Sequence, residues 1–177
     1  NNEIFELETK NIISSMAISD LINSLKPNNL FKPHIGKLKY RDYITVAIMS
    51  NGKTEFNDNW IYIHDPSVLV GRIQNYYSWS PDMVPNDNTN CLGLEYFCNE
   101  NDELWLKNDN ELIEIAKKEL EYLGLINKKD IFDGCVVRQK KAYPVYDDSY
   151  QNTIGEIKKE FKKNYSNFHF VGRNGMH

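Results

Sequence analysis

From Arg41 to Cys98 the chain offers one strand-like segment after another, with no helical periodicity between them. Arg41–Met49 is β-branched and aromatic throughout. Trp60–His64 alternates Trp60, Tyr62 and His64 with Ile61 and Ile63, and Val70–Asn75 and Cys91–Cys98 follow as further strands. Helical spacing appears only outside this block. In "SMAISDLINSL", Ile18, Leu21, Ile22 and Leu25 share one face, and Pro27 and Pro33 then open a loop. Asn108 with Glu111 reads as a capping box, Leu112, Ile113, Ala116, Leu120 and Leu123 form an apolar stripe, and Gly124 stops the helix. Ser149 caps a last helix with Ile154, Ile157 and Phe161 inward. Shorter strands are expected at Glu3–Glu8, Asn11–Ser14, Asp133–Lys141 and Phe168–Val171. A doubly wound sheet requires strict alternation of strand and helix. This order instead predicts an α+β fold: a mixed, largely antiparallel sheet with helices packed on one face.

Composition narrows the function classes. The 177 residues suffice for one sizeable core, and 41% hydrophobic content argues against disorder. The net charge of −4 is spread along the chain with no basic stripe, so nucleic acid is not an expected partner. No apolar run is long enough to span a bilayer, and "NNEIFELETK" lacks the basic start and apolar run of a signal peptide, so a cytoplasmic location is expected. Cys91, Cys98 and Cys135 are odd in number and form no CxxC pair, so the expectation is reduced, largely buried thiols. His34, His64, His169 and His177 are scattered without carboxylates at ligand spacing, so no metal site is expected. There is no GxGxxG, Walker, HExxH or GxSxG motif.

Four places carry candidate chemistry. If the strands holding Trp60, Tyr62 and His64 and holding Arg72 and Gln74 pair, an aromatic and cationic surface results, suited to an anionic or polar ligand. Tyr62, Arg72 and Asn75 are its candidate substrate contacts, although Asn75 projects away from Arg72 in a regular strand, and Glu95 as an ion partner would make Arg72 structural. In "KKAYPVYDD", Pro144 fixes a bend that Tyr143 and Tyr146 flank, either lining a planar ligand or packing a strand end. The long "YYSWSPDMVPNDNTN" loop reads as a lid or as a packed surface loop. Gly172-Arg173-Asn174-Gly175 follows a strand and is either an ordinary turn or a phosphate-contacting one.

Taken together, "VVRQKKAYPVYDDSYQNTIGEIKKEF…NFHFVGRNGMH" resembles the C-terminal signature of the flavin amine oxidase and protoporphyrinogen oxidase superfamily. "NIISSMAISDLINSL" resembles that superfamily's segment returning from the dinucleotide domain, with Ala17 in place of the usual Pro. "DNWIYIHDPSVLVGRIQNYYSWSPDMVP" and "CLGLEYFC" look like a bacterial branch of FAD-dependent oxidoreductases related to UDP-galactopyranose mutases.

The resemblance implies FAD as the cofactor of a larger parent. It implies cofactor contacts at Gly172, Arg173, Asn174, Gly175, Tyr143 and Pro144, with Tyr146 beside the substrate. It also implies a partition into a remnant of the FAD-binding domain at 1–16, a substrate-binding domain at 17–142 and a returning segment at 143–177. The family's GxGxxG is absent, so the chain is expected to be the substrate-binding fragment of an amine-oxidase-like flavoenzyme, inactive and unable to hold FAD tightly by itself. The substrate would be a small molecule, an amine or a nucleotide sugar. A UDP-galactopyranose-mutase-like isomerase and a non-catalytic ligand-binding or oligomerisation module are the alternatives. Strand edges left by the missing domain would be open, pair with each other, or support a homodimer.

Overall fold

A computed structural model describes residues 4–26, 29–34, 36–54 and 56–176. The elements are β1 (Ile12–Ser14), α1 (Ile18–Ser24), β2 (Lys39–Asn51), β3 (Trp60–Tyr62), β4 (Arg72–Asn75), α2 (Tyr76–Trp79), β5 (Thr89–Cys98), α3 (Glu103–Leu106), α4 (Asp109–Tyr122), β6 (Ile131–Val145), α5 (Tyr150–Asn164), β7 (Phe168–Phe170) and α6 (Gly172–Gly175). The α+β class expected from the sequence is the one observed: a five-stranded sheet in the order β3-β4-β5-β2-β6, with helices. Among the described residues, no helix is long and apolar enough to cross a membrane. Contacts divide the chain into two compact units, Asp42–Lys140 and a second formed by Asn1–Arg41 with Lys141–His177.

In the first unit the sheet is antiparallel at each registered pair: β3 on β4, β4 on β5 and β5 on β2. Alternation sorts its two faces. Ile44, Val46 and Ile48 of β2, Ile73 of β4 and Leu92, Leu94 and Tyr96 of β5 point one way and form a core with Leu112, Ala116 and Leu120 of α4. The helix starts where the sequence says it must: Asn108 accepts from the Glu111 amide at 3.0 Å, and the Glu111 carboxylate accepts from the Asn108 amide at 2.9 Å. Gly124 then turns the chain out of the helix at φ +69°. Behind the core, the Glu119 carboxylate is buried, accepting from the Leu69 amide at 2.6 Å and the Tyr96 hydroxyl at 2.9 Å. Burial first, and this carboxylate second, push the Tyr96 phenol far above its usual range.

In the second unit, Ile18, Leu21 and Ile22 of α1 and Ile154, Ile157 and Phe161 of α5 close around Phe31 and Leu38. β1 and β7 pair in parallel, Ile12 opposite Phe168 and Ser14 opposite Phe170, so the two short strands of this unit pair with each other. Two expectations need correction. Residues 4–8 form no strand and expose Ile4, Phe5 and Leu7, because no partner strand lies beside them among the described residues; Glu3 lies outside those residues. The three free thiols are not largely buried: Cys98 is, but Cys91 is half-buried and Cys135 exposed on an edge strand.

Candidate functional site

The sheet face opposite the α4 core carries the residues that sequence reasoning grouped. In the β3–β4 register Trp60 lies opposite Gln74 and Tyr62 opposite Arg72, and in the β4–β5 register Arg72 lies opposite Glu95 and Gln74 opposite Gly93. Because opposite residues share a face, Trp60, Tyr62, Arg72, Gln74 and Glu95 stand together. The Tyr62 and His64 rings stack at 6.5 Å. The Arg72 guanidinium sits 5.8 Å from the centre of the Tyr62 ring and 5.9 Å from that of Phe97.

Under these rings lies a three-residue polar network. Arg72 donates from Nε at 2.7 Å and reaches from Nη2 at 2.5 Å to Glu95 Oε2, while Gln74 Nε2 donates to Oε1 at 2.5 Å. Glu95 is 1% exposed and both its oxygens are occupied. An ionised carboxylate at that depth requires such partners, so the Arg72 charge is engaged inside the protein.

Sequence reasoning missed the cover over this network. Asn75 caps α2 by accepting from the Ser78 amide at 3.3 Å, and α2 sets Tyr76 and Trp79 over the sheet. The Tyr76 hydroxyl passes only 2.6 Å from where a side chain on Gly93 would begin, so Gly93 makes room for it. Burial raises the Tyr76 phenol, with a smaller push from Cys91. Trp79 donates from Nε1 to Gln74 Oε1 at 3.1 Å and stacks on Trp60 at 5.3 Å. The segment read as a long loop is thus organised by α2 and by a 3-10 turn at Pro81–Met83, with Ser80 capping the turn. A mid-strand glycine and an Asn three residues before a Ser were the available signals.

Asn75, expected among the substrate contacts, faces away from Arg72. It is fully buried on the core side, and its amide donates to Thr54 Oγ1 at 2.9 Å and to the Phe56 carbonyl at 3.0 Å. Its role is to cap α2 and to hold Thr54 and Phe56.

In the other unit the C-terminal turn is built tightly. Gly172 adopts φ +73°, and a side chain at Gly175 would meet the Ser14 carbonyl at 2.7 Å. The Arg173 guanidinium stacks 4.6 Å from the centre of Tyr143. Asn174 donates to the Lys141 carbonyl at 2.9 Å, while its Oδ1 is buried without a hydrogen-bond partner. Lys141 takes φ +52°, and its ammonium pairs with Asp20 and reaches Ser19 Oγ at 3.2 Å. Pro144 is buried; Tyr146 is exposed and packs edge-on against Tyr150 at 4.8 Å, beside Asp147 and Asp148. The structure therefore brings Tyr143 to Arg173, and places the Tyr146 ring in a separate cleft of about 350 Å³. Among the described residues no cluster of His, Cys, Asp and Glu is arranged for a metal.

No family model matches the chain, and no curated protein matches it. Solved structures do. A reduced UDP-galactopyranose mutase superposes with a TM-score of 0.78 at 18% identity, over 96% of this chain and 37% of its own. A provisional protoporphyrinogen oxidase of Exiguobacterium sp. 255-15 follows at TM-score 0.68 and 14% identity, over 93% of this chain and 36% of its own. The PF1083 protein of Pyrococcus furiosus reaches TM-score 0.52 at 10% identity, over 74% of this chain and 31% of its own. The chain thus spans roughly a third of the length of the proteins whose fold it shares.

Proposed function

We propose that this chain is the substrate-binding part of an FAD-dependent, amine-oxidase-like oxidoreductase, and that it is inactive without a dinucleotide-binding half. The supporting observation is the shared fold: almost all of this chain superposes on about a third of a reduced UDP-galactopyranose mutase. The partition is 1–16 and 143–177 as pieces of the FAD-binding domain and 17–142 as the substrate-binding domain.

The cofactor-side residues are Gly172, Arg173, Asn174, Gly175, Tyr143 and Pro144. Their chemistry suits such a group. Asn174 Oδ1 is a buried acceptor that calls for a donor, and Arg173 on Tyr143 presents a delocalised cation suited to an anionic cofactor. When bound, FAD would supply the redox chemistry. The chain's own residues orient the substrate. Tyr62 and Arg72 form the wall, with Arg72 acting as a fixed donor and ring-stacking surface, since Glu95 engages its charge. Tyr146 contributes a second, acidic-flanked contact at the end of β6.

The same likeness favours one other reading, a redox-neutral nucleotide-sugar isomerase, because a mutase superposes with the TM-score of 0.78. The Arg72–Glu95 pair weighs against it, since a diphosphate would need surplus positive charge at the wall. Anaerobic absorbance spectra of the flavin-loaded gene product separate the two. Bleaching by a primary amine, diminished by Tyr62→Ala, is expected. No bleaching by amines, with turnover of a UDP-sugar, would replace the oxidase reading by the isomerase.

A further inference from the structure

On the α4 side of the five-stranded sheet, a cleft of about 240 Å³ opens between the ends of β2, β5 and α4. Strand alternation builds its floor. Ile44, Val46 and Ile48 of β2 and Leu92 and Leu94 of β5 face α4, so Ser50 and Asn90, in step with them, face it too. These two stand opposite each other in the register, line the cleft and are each 2% exposed. Asn90 Oδ1 is buried with no hydrogen-bond partner among the described residues. A buried acceptor of that kind calls for a donor. Asn90 also borders a hollow of about 40 Å³, too small for an organic ligand. The rim of the cleft is acidic. Glu121 and Asp130 line it, and neither pairs with a cation among the described residues. Lys53 lines it as well, so two carboxylates against one ammonium leave a surplus negative charge. The end of α4 borders the cleft at Glu121 and Gly124, and a helix C-terminus adds negative partial charge. Leu125 and Ile126, half-buried, supply an apolar wall.

We propose that this cleft binds a short aliphatic diamine, one ammonium donating to Asn90 Oδ1 at the floor and the other held by Glu121 and Asp130 at the rim. An ammonium carries only donors, which matches an unpartnered acceptor below and unpaired carboxylates above. The methylene chain lies along Leu125 and Ile126. The volume falls below the roughly 300–1,000 Å³ of pockets for drug-sized ligands, so the chain is short. An anion would be repelled by the surplus negative charge and by the end of α4. A metal ion is disfavoured because, among the described residues, no cluster of His, Cys, Asp and Glu is arranged to hold one. The cleft lies wholly within Asp42–Lys140, on the side of the sheet opposite Tyr62 and Arg72. Its test needs no flavin, so this reading and the proposed function fail separately.

The experiment is isothermal titration calorimetry of the purified chain with putrescine, butylamine and ornithine. Putrescine is expected to saturate with a Kd of about 1 mM or tighter. Butylamine, which has one ammonium, and ornithine, which adds a carboxylate, are each expected to bind about tenfold more weakly. Asn90→Leu removes an unpartnered buried acceptor, so it should keep the fold and weaken putrescine about tenfold. Should Asn90→Leu unfold, Glu121→Gln combined with Asp130→Asn, both at the rim, decides the matter with a similar loss. Tyr62→Ala, on the opposite face, leaves the affinity unchanged. The proposal is overturned by no saturable response to putrescine, by butylamine or ornithine binding as tightly, or by loss of binding in Tyr62→Ala. It is also overturned if putrescine binds this chain but not, under nitrogen, the gene product that includes whatever precedes Asn1, since the cleft would then be filled from within the parent.

Discussion

Arg72 illustrates how one side chain reads differently before and after its partners are known. Within a strand it suggests a ligand; beside Glu95 it is first the counterion of a buried carboxylate. Arg72→Ala leaves that carboxylate with Gln74 alone and is expected to cost about 3–5 kcal/mol in urea unfolding. Glu95→Gln in the same background should recover most of the loss, and additive costs in that double-mutant cycle would refute the pairing. Gly93→Ala drives a methyl group into Tyr76 and should cost about 1–3 kcal/mol, relieved when Tyr76 is also made Ala. The thiols give a direct check of burial. The Cys91 thiol is pushed up to about 11, by burial and then by Cys135. A disulfide reagent at pH 8 should therefore label the exposed Cys135 first, Cys91 slowly, and the buried Cys98 only on unfolding.

Long periodic segments were legible in the sequence, and short ones held by distant partners were not. Asn108, Glu111 and Gly124 announce α4 because its caps and stripe are local, and Asn108→Ala is expected to cost about 1 kcal/mol. The β2 and β5 strands were legible for the same reason. Residues 4–8 alternate like a strand but have no partner strand among the described residues, which no local pattern reveals. The shared aromatic face follows from period two alone, but the cationic character expected of it is cancelled by Glu95. The cover by Tyr76 and Trp79 was not, since it depends on Asn75 capping a four-residue helix from the core side. Asn75 was legible as a polar strand residue, but only its fully buried contacts with Thr54 and Phe56 reveal its purpose. At the start of α5, Lys39 and Ser149 hold the Asp147 carboxyl down to about 2, from an ordinary 3.8. A depressed carboxyl contributes stability above 3.8 that is lost as pH falls towards 2. Acid unfolding of Asp147→Asn should therefore be less steep than wild type across that window, with a small difference because the group is exposed to solvent.

The two compact units point to different duties. Asp42–Lys140 presents an open aromatic face over a neutralised ion pair, and the other unit ends in a tight glycine turn with a buried acceptor at Asn174. Under the proposed function Tyr62 and Arg72 of the first receive substrate, and the second carries Tyr146 and the turn that meets a cofactor held mainly by residues outside this sequence. An FAD titration tests this most directly. Flavin fluorescence is followed as FAD is added to the purified chain, and in parallel to the gene product that includes whatever precedes Asn1. Tight binding by the longer protein alone, weakened by Asn174→Ala, is the expected result. Micromolar binding by this chain alone, or a longer protein that takes up no flavin, would contradict it.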